Sequence, residues 1–134
     1  MSLKVLIDYA RDLSHAEAEE CGRLSFRSRG LLQEWIRDSR APEYTRPERV
    51  YRVFDNSTLV AWGQTYHETW TLSGVKPAIG IYVRKTYRRR GLGALVLALM
   101  QAEHPGVKFA ASDHSAKARA LYARERAKGM LKDF

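Results

Sequence analysis

The composition of the sequence changes abruptly within residues 81–94, IYVRKTYRRRGLGA. An apolar, β-rich stretch ends near Val83, a basic loop follows, and Gly91-x-Gly93 then precedes a long apolar segment. Glycine lets the backbone approach a ligand closely, and a helix start leaves N–H groups unpaired beside the positive end of its dipole. The order of strand, basic glycine loop and helix therefore predicts a helix-and-sheet fold with an anion site at this turn.

Apolar periodicity and turn residues predict further helices and strands along the rest of the chain. The capping box Ser14-x-x-Glu17 predicts a helix over residues 14–24, and an apolar stripe predicts a second helix over residues 31–39. Residues 40–47 contain two prolines and are interpreted as a loop. The other predicted elements are strands over residues 4–9, 50–54, 58–66, 78–83 and 107–112, and helices over residues 91–104 and 115–127. This order predicts an α/β (α+β) fold in which helices flank a mixed sheet, with residues 1–134 forming one domain.

The distribution of charged residues along the chain limits the kinds of partner that this protein is expected to bind. The chain carries a net charge of +8, and the excess lies in residues 81–134, which hold 12 Lys/Arg and 4 Asp/Glu. Such asymmetry indicates an anionic partner, which could be nucleic acid, an acidic membrane surface or a phosphorylated cofactor.

The single cysteine, Cys21, excludes an internal disulfide and a Cys-rich zinc site, so no metal is predicted and a cytoplasmic location is expected. Cys21 lies in an apolar context typical of a buried thiol, and the longest apolar run is too short to cross a membrane.

Two common phosphate-binding motifs are excluded by the residues of this sequence. The P-loop pattern G-x-x-x-x-G-K-[ST] is absent. The dinucleotide fingerprint G-x-G-x-x-G fails because Val96 stands where its third glycine would be. The pattern that remains is Arg88-x-x-Gly91-x-Gly93, placed between a predicted strand and a predicted helix.

This pattern resembles the acyl-CoA pyrophosphate loop of the GNAT superfamily of N-acetyltransferases, [QR]-x-x-G-x-[GA]. Downstream, Ala118-x-x-Leu121-Tyr122 resembles the second conserved helix of that family, and Gly129-Met130 resembles the Gly-Phe that follows it. The order of elements agrees over nearly the whole chain. The resemblance implies an enzyme that moves an acetyl group from acetyl-CoA directly to a primary amine on a protein or a small molecule.

The resemblance also implies roles for individual residues. Tyr122 would protonate the departing thiolate, and a backbone N–H near Val83 would polarise the acetyl carbonyl. The hydroxyl of Ser115, where many relatives carry asparagine, would bond the cofactor. Glu68 is the candidate base for the acceptor amine. The backbone that would hold the diphosphate runs through Arg88, Arg89, Arg90, Gly91, Leu92, Gly93 and Ala94, and the pantetheine arm would pair with Tyr82, Val83 and Arg84.

Two departures bear on the acceptor. The chain has room for only one short strand after Gly129, where relatives usually have two, so the fold is expected to be C-terminally shortened. The acceptor site would then be open, completed by a second copy in a homodimer, or shaped for a large substrate such as a protein. Trp62, Tyr66 and Trp70 are expected to face it.

A non-enzymatic reading stays open beside the enzymatic one. A GNAT-like module could bind CoA or nucleic acid through the same basic loop and regulate a partner. Nucleic acid is the weaker partner, because no recognised nucleic-acid motif and no interleaved aromatic ladder accompanies the arginines.

Overall fold

The computed structural model describes residues 1–24, 49–71, 74–105, 110–111 and residue 124. The strands order β1-β2-β3-β4-β5 in one sheet, antiparallel as far as β4 and parallel between β4 and β5. The predicted mixed sheet with helices is therefore confirmed. The strands are β1 (Leu3–Tyr9), β2 (Arg49–Asp55), β3 (Thr58–Thr71), β4 (Gly74–Val83) and β5 (Ala110–Ala111), and the helices are α1 (His15–Leu24) and α2 (Leu92–Glu103).

Some predicted elements lie outside the described residues. These are the helix over residues 31–39, the loop over residues 40–47, all but residues 110–111 of the last strand, and the helix over residues 115–127 except for residue 124, which is helical.

Two strands extend several residues beyond their predicted bounds. β3 continues to Thr71 and β4 begins at Gly74, so the two strands form a long hairpin. The pairing shifts between Tyr66 and Thr69, where β3 holds one more residue than β4. Pro77 lies opposite this bulge, and proline, which has no N–H to donate, is tolerated in a sheet at such irregular positions. The proline interrupted the strand pattern in the sequence, and the bulge accommodates it in the structure.

Helices pack on opposite faces of the sheet. α2 covers a face whose buried members come from β2, β3, β4 and α2 itself: Tyr51, Val53, Val60, Ala61, Ile79, Ile81, Leu92, Val96, Leu97 and Met100. α1 covers the other face, with Ala10, Leu13, Ala18, Cys21, Val50, Leu59, Trp62 and Tyr82. A bulge at Val60, where Val53 pairs with Ala61 and Phe54 with Leu59, places both Val60 and Ala61 against α2.

The predicted capping box is present at the start of α1. The Ser14 N–H donates to Glu17 Oε1 at 2.8 Å, and the Glu17 N–H donates to Ser14 Oγ at 3.2 Å. This backbone hydrogen bond lowers the pKa of Glu17. The other carboxylate oxygen accepts from Arg52, whose side chain is 5% exposed and also donates to Asp8 Oδ2 at 2.8 Å. The Arg52 ion cluster therefore joins β1, β2 and α1, and breaking it would leave a buried charge without its partners.

Gly63 on β3 is a point of close contact between α2 and the sheet. A Cβ at this position would lie 2.6 Å from Met100 Cε and 2.6 Å from Val96 Cγ1. We expect Gly63→Ala to lower the free energy of unfolding by about 1–3 kcal/mol, because the core must shift to admit the methyl group. Urea denaturation measures the loss. Adding Val96→Ala should recover part of it, and strictly additive effects of the two substitutions would contradict the close packing.

Glu103, at the end of α2, ties the helix to β2. It accepts hydrogen bonds from Arg49 at 2.8 Å and from the Tyr51 hydroxyl at 2.8 Å. The bond from Arg49 lowers the pKa of Glu103. The stabilisation is thus present above the unfolded carboxyl pKa of about 4.3 and is lost as the pH falls through the lower folded value.

We expect Glu103→Gln to cost about 1 kcal/mol at neutral pH and progressively less in acid. Thermal unfolding at a series of pH values checks this, with Glu20→Gln on α1 as the matched control. An equal loss at neutral and strongly acidic pH would contradict the role of the ionised carboxylate.

Candidate functional site

The basic loop leaves the end of β4 and turns directly into α2. A single 3-10 turn, Lys85–Tyr87, is followed by Arg89 with φ of +66° and Gly91 with φ of +80°. Both residues occupy the left-handed region, which a glycine adopts freely and an arginine does not. A Cβ at Gly91 would meet no atom within 4 Å, so the loop borders open space at this point. Its path is set by backbone turns and by its hydrogen bonds to the sheet.

The loop delivers a row of backbone amides to the start of α2. Leu95 N–H donates to Gly91 O at 2.9 Å, the first bond of the helix ladder at this end. The amides of Leu92, Gly93 and Ala94 precede it, in the first turn, where an α-helix offers no acceptor of its own. Because the helix dipole also places positive charge there, these amides and Gly91 form a cradle suited to a phosphate group.

Arg84 anchors the loop to the sheet. Its N–H donates to Val60 O at 2.8 Å, and its Nε donates to Leu59 O at 2.9 Å. Both acceptors lie at the bulge of β3. The family resemblance implied that the Arg84 backbone pairs with the pantetheine arm, whereas these contacts use its N–H and its side chain to hold the base of the loop.

A second anchor joins the loop to Asp55, a residue for which the sequence predicted no role at the site. The Tyr87 hydroxyl donates to Asp55 Oδ2 at 2.9 Å, and this bond raises the pKa of Tyr87. Asp55 also accepts from the Ser2 N–H at 3.1 Å. The guanidinium of Arg90 lies 5.1 Å from the centre of the Tyr87 ring. Asp55 sits at a hairpin turn, where aspartate is common for other reasons, so the sequence carried no signal for this contact.

The residues of β4 that were expected to meet the pantetheine arm direct their backbone groups to two opposite edges of the strand. Since the Arg84 N–H points to β3, alternation directs the backbone groups of Tyr82 to β3 as well. The backbone groups of Ile81 and Val83 point to the opposite edge, where β5 pairs with β4 at Ile79. The Tyr82 ring stacks on Trp62 at 4.8 Å on the α1 face. Val83 and Ile81 are thus the residues whose backbone can pair with a ligand at this edge.

The candidate catalytic residues lie only in part within the described residues. Tyr122 and Ser115 lie outside the described residues. Glu68 lies in β3, at the bulge opposite Pro77, at the end of the strand away from the basic loop. Trp62 was expected to face the acceptor, and this prediction was wrong: its side chain is 1% exposed and packs in the core beneath α1. Its stacking on Tyr82 explains the burial.

Cys21 behaves as predicted for a structural thiol. It is fully buried, and desolvation raises its pKa to about 12. Within the described ranges, no three histidine, cysteine or acidic side chains converge as a metal site. None of the described helices is long and apolar enough to cross a membrane.

Comparison with known proteins agrees with the geometry. A family model described as Acetyltransferase (GNAT) family matches residues 6–127. Among curated proteins, none matches this chain.

Solved structures share the fold at low identity. A ribosomal-protein-alanine N-acetyltransferase from Brucella melitensis biovar Abortus 2308 has 16% identity and a TM-score of 0.57, covering 91% of this chain and 89% of that chain. Glucosamine-6-phosphate N-acetyltransferase from Arabidopsis thaliana has 15% identity and a TM-score of 0.56, covering 92% and 90%. An aminoglycoside acetyltransferase from an uncultured soil metagenomic sample has 14% identity and a TM-score of 0.60, covering 99% and 91%. The family match, over most of the chain and across the basic loop, shows that this protein belongs to the GNAT family of acetyltransferases.

Proposed function

We propose that this chain transfers an acetyl group from acetyl-CoA directly to a primary amine, acting as a single cytoplasmic domain over residues 1–134. The observation that carries the proposal is the cradle from Gly91 to Ala94, in which a left-handed glycine leads directly into the first turn of α2. Membership of the GNAT family supports acetyl transfer in general. The co-substrate and the amine acceptor are the finer parts of the proposal.

The loop fits the diphosphate of coenzyme A in three respects. The amides of Leu92, Gly93 and Ala94 precede the helix ladder. A Cβ at Gly91 would meet no atom within 4 Å, so the backbone is open to a ligand at this point. Arg88, Arg89 and Arg90 add positive charge beside the amides, and charge-assisted hydrogen bonds to phosphate are the stronger kind.

The edge of β4 fits an extended arm. The outward backbone groups of Ile81 and Val83 can pair with amide groups of the pantetheine, as an added strand would. An N–H at this edge can also polarise the acetyl carbonyl. When bound, acetyl-CoA supplies the activated acetyl group as a thioester. Tyr122 would hold its phenolic proton toward the sulfur and release it as the thiolate departs. The buried state of Cys21 supports direct transfer to the amine without a cysteine-bound acetyl group.

Glu68 is proposed to accept the proton of the amine. Its bulge faces Pro77, four positions before Ile81 in β4, which is about 13 Å along the strand.

We expect Glu68→Gln to lower kcat/KM by about 10²-fold at neutral pH, with the affinity for coenzyme A unchanged. Steady-state kinetics over a range of pH checks this. Glu20→Gln is the matched control, because it makes the same change on α1. A full rate for Glu68→Gln at every pH would assign the base elsewhere.

The acceptor class is best tested by mass. The solved structures of this fold include acetyltransferases named for a ribosomal-protein alanine, an amino sugar phosphate and an aminoglycoside. Intact-mass spectrometry after incubation with acetyl-CoA and one amine of each kind, together with a lysine peptide, would reveal a single added acetyl group. We expect it on at least one primary amine and only when acetyl-CoA is present. Absence of transfer to all of them and to a host lysate would overturn the enzymatic proposal in favour of a regulatory module.

A further inference from the structure

The outer edge of β1 carries a feature that acetyl transfer does not use. Among the described strands β1 has β2 as its one neighbour, so no described strand pairs with its second edge. The Asn56 N–H donates to Ser2 O at 3.0 Å, which sets the alternation of hydrogen bonds along this pair. The backbone groups of even-numbered residues therefore point to β2, and those of Leu3, Val5, Ile7 and Tyr9 point outward. An open edge of this kind is a template for another strand.

The exposed large apolar side chains of the described residues gather at β1. They are Met1, Leu3 and Tyr9, which are 59%, 41% and 38% exposed. Leu3 begins the strand and Tyr9 ends it. If a second copy of β1 paired antiparallel along the whole strand, each Leu3 would lie opposite the Tyr9 of the other copy. The apolar surface that the monomer leaves exposed would then be covered at both ends.

The same register brings opposite charges together. A two-fold axis at Leu6 places Lys4 opposite Asp8 of the other copy, and Asp8 opposite Lys4. These residues have even numbers, so they form the non-hydrogen-bonded pairs, in which side chains approach most closely. Asp8 can take part because its bond to Arg52 uses Oδ2 and its side chain remains 39% exposed. A shift of two residues in either direction would place Lys4 and Asp8 away from each other.

We propose that two copies of this chain associate through β1, in antiparallel register centred on Leu6, to form one continuous sheet. The pairing is isologous and consumes the one open edge that each β1 offers, so it closes at a dimer. Lys4 discourages pairing with an unrelated apolar edge, whereas Asp8 of a second copy neutralises it. The proposal does not depend on the acetyl-transfer chemistry.

A register-specific cross-link tests the geometry directly. Leu6→Cys should form an intermolecular disulfide under mild oxidation, because non-hydrogen-bonded partners lie at a suitable Cα separation. Cys21 should not compete, since it is fully buried and desolvation raises its pKa to about 12. Lys4→Cys is the matched control, because its own counterpart would lie four residues away along the strand, about 13 Å. Cross-linking of Lys4→Cys as readily as Leu6→Cys would overturn the register.

Sedimentation velocity from low micromolar to submillimolar protein tests the association itself. We expect the natural chain to dimerise with rising concentration. Lys4→Glu, which sets like charges opposite each other, and Val5→Pro, which removes an outward N–H, should weaken the dimer at least tenfold. Arg23→Glu makes the same charge change on α1 and should leave it intact. Circular dichroism would verify that each variant is folded. A natural chain that is monomeric throughout, or a dimer unaffected by both β1 variants, would overturn the proposal.

Discussion

Gly91→Glu is expected to weaken coenzyme A binding by at least about a hundredfold, or about 2.7 kcal/mol. The substitution has two effects at the cradle. A side chain at φ of +80° is strained, and a carboxylate at this position repels the phosphates that the first-turn amides would bind. The protein should remain folded, because a Cβ at Gly91 meets no atom within 4 Å. Calorimetric titration with coenzyme A measures the loss.

Gly91→Asn separates the backbone effect from the charge. Asparagine tolerates the left-handed region better than other residues that carry a side chain. We therefore expect Gly91→Asn to bind coenzyme A within about tenfold of the natural chain. Equal loss in the two variants would mean that backbone strain, and not the anion, explains the result. Unchanged affinity in Gly91→Glu would remove the diphosphate from this loop.

Tyr122→Phe is expected to lower kcat by about 10²- to 10⁴-fold while leaving the affinity for acetyl-CoA unchanged. The phenol is proposed to give its proton to the leaving sulfur, and phenylalanine keeps the ring but not the proton. Steady-state kinetics together with calorimetry separates turnover from binding. The regulatory-module reading predicts that the natural chain has no turnover for this variant to lose.

Tyr87→Phe provides a contrasting control. It removes the hydrogen bond to Asp55 that holds the loop, which lies at 2.9 Å, so it should raise KM for acetyl-CoA more than it lowers kcat. If Tyr122→Phe raised KM and spared kcat in the same way, Tyr122 would be a binding residue and not the general acid.

Local sequence signals predicted the structure wherever the interacting residues are close along the chain. The capping box of Ser14 and Glu17 is such a case, since both partners lie within one helical turn. The turn after β2 is another, because Asn56 takes a φ of +54° that asparagine tolerates. The start of α2 was predicted within one residue from the Gly91-x-Gly93 pattern. In each case the partners of the interaction are close in sequence.

Contacts between distant segments could not be predicted in this way. Arg52 reads as an ordinary strand residue, yet it is buried between Asp8 and Glu17, which come from two other elements. Tyr87 and Asp55 are 32 residues apart. The start of β4 was missed because Pro77 interrupts its strand pattern, and the bulge of β3 opposite this proline accommodates it. At the candidate site, the sequence predicted the amide cradle. The contacts by which Arg84 anchors the loop to β3 could be identified only from the fold.

We propose that the backbone between Arg88 and Ala94 binds the diphosphate of coenzyme A. The most direct measurement is an amide NMR titration of the isotope-labelled protein with coenzyme A at near-physiological salt. We expect saturable shifts concentrated on the amides of Gly91, Leu92, Gly93 and Ala94, and much smaller shifts with pantetheine, which lacks the diphosphate. No saturable binding of coenzyme A, or shifts that leave these amides unmoved, would contradict it.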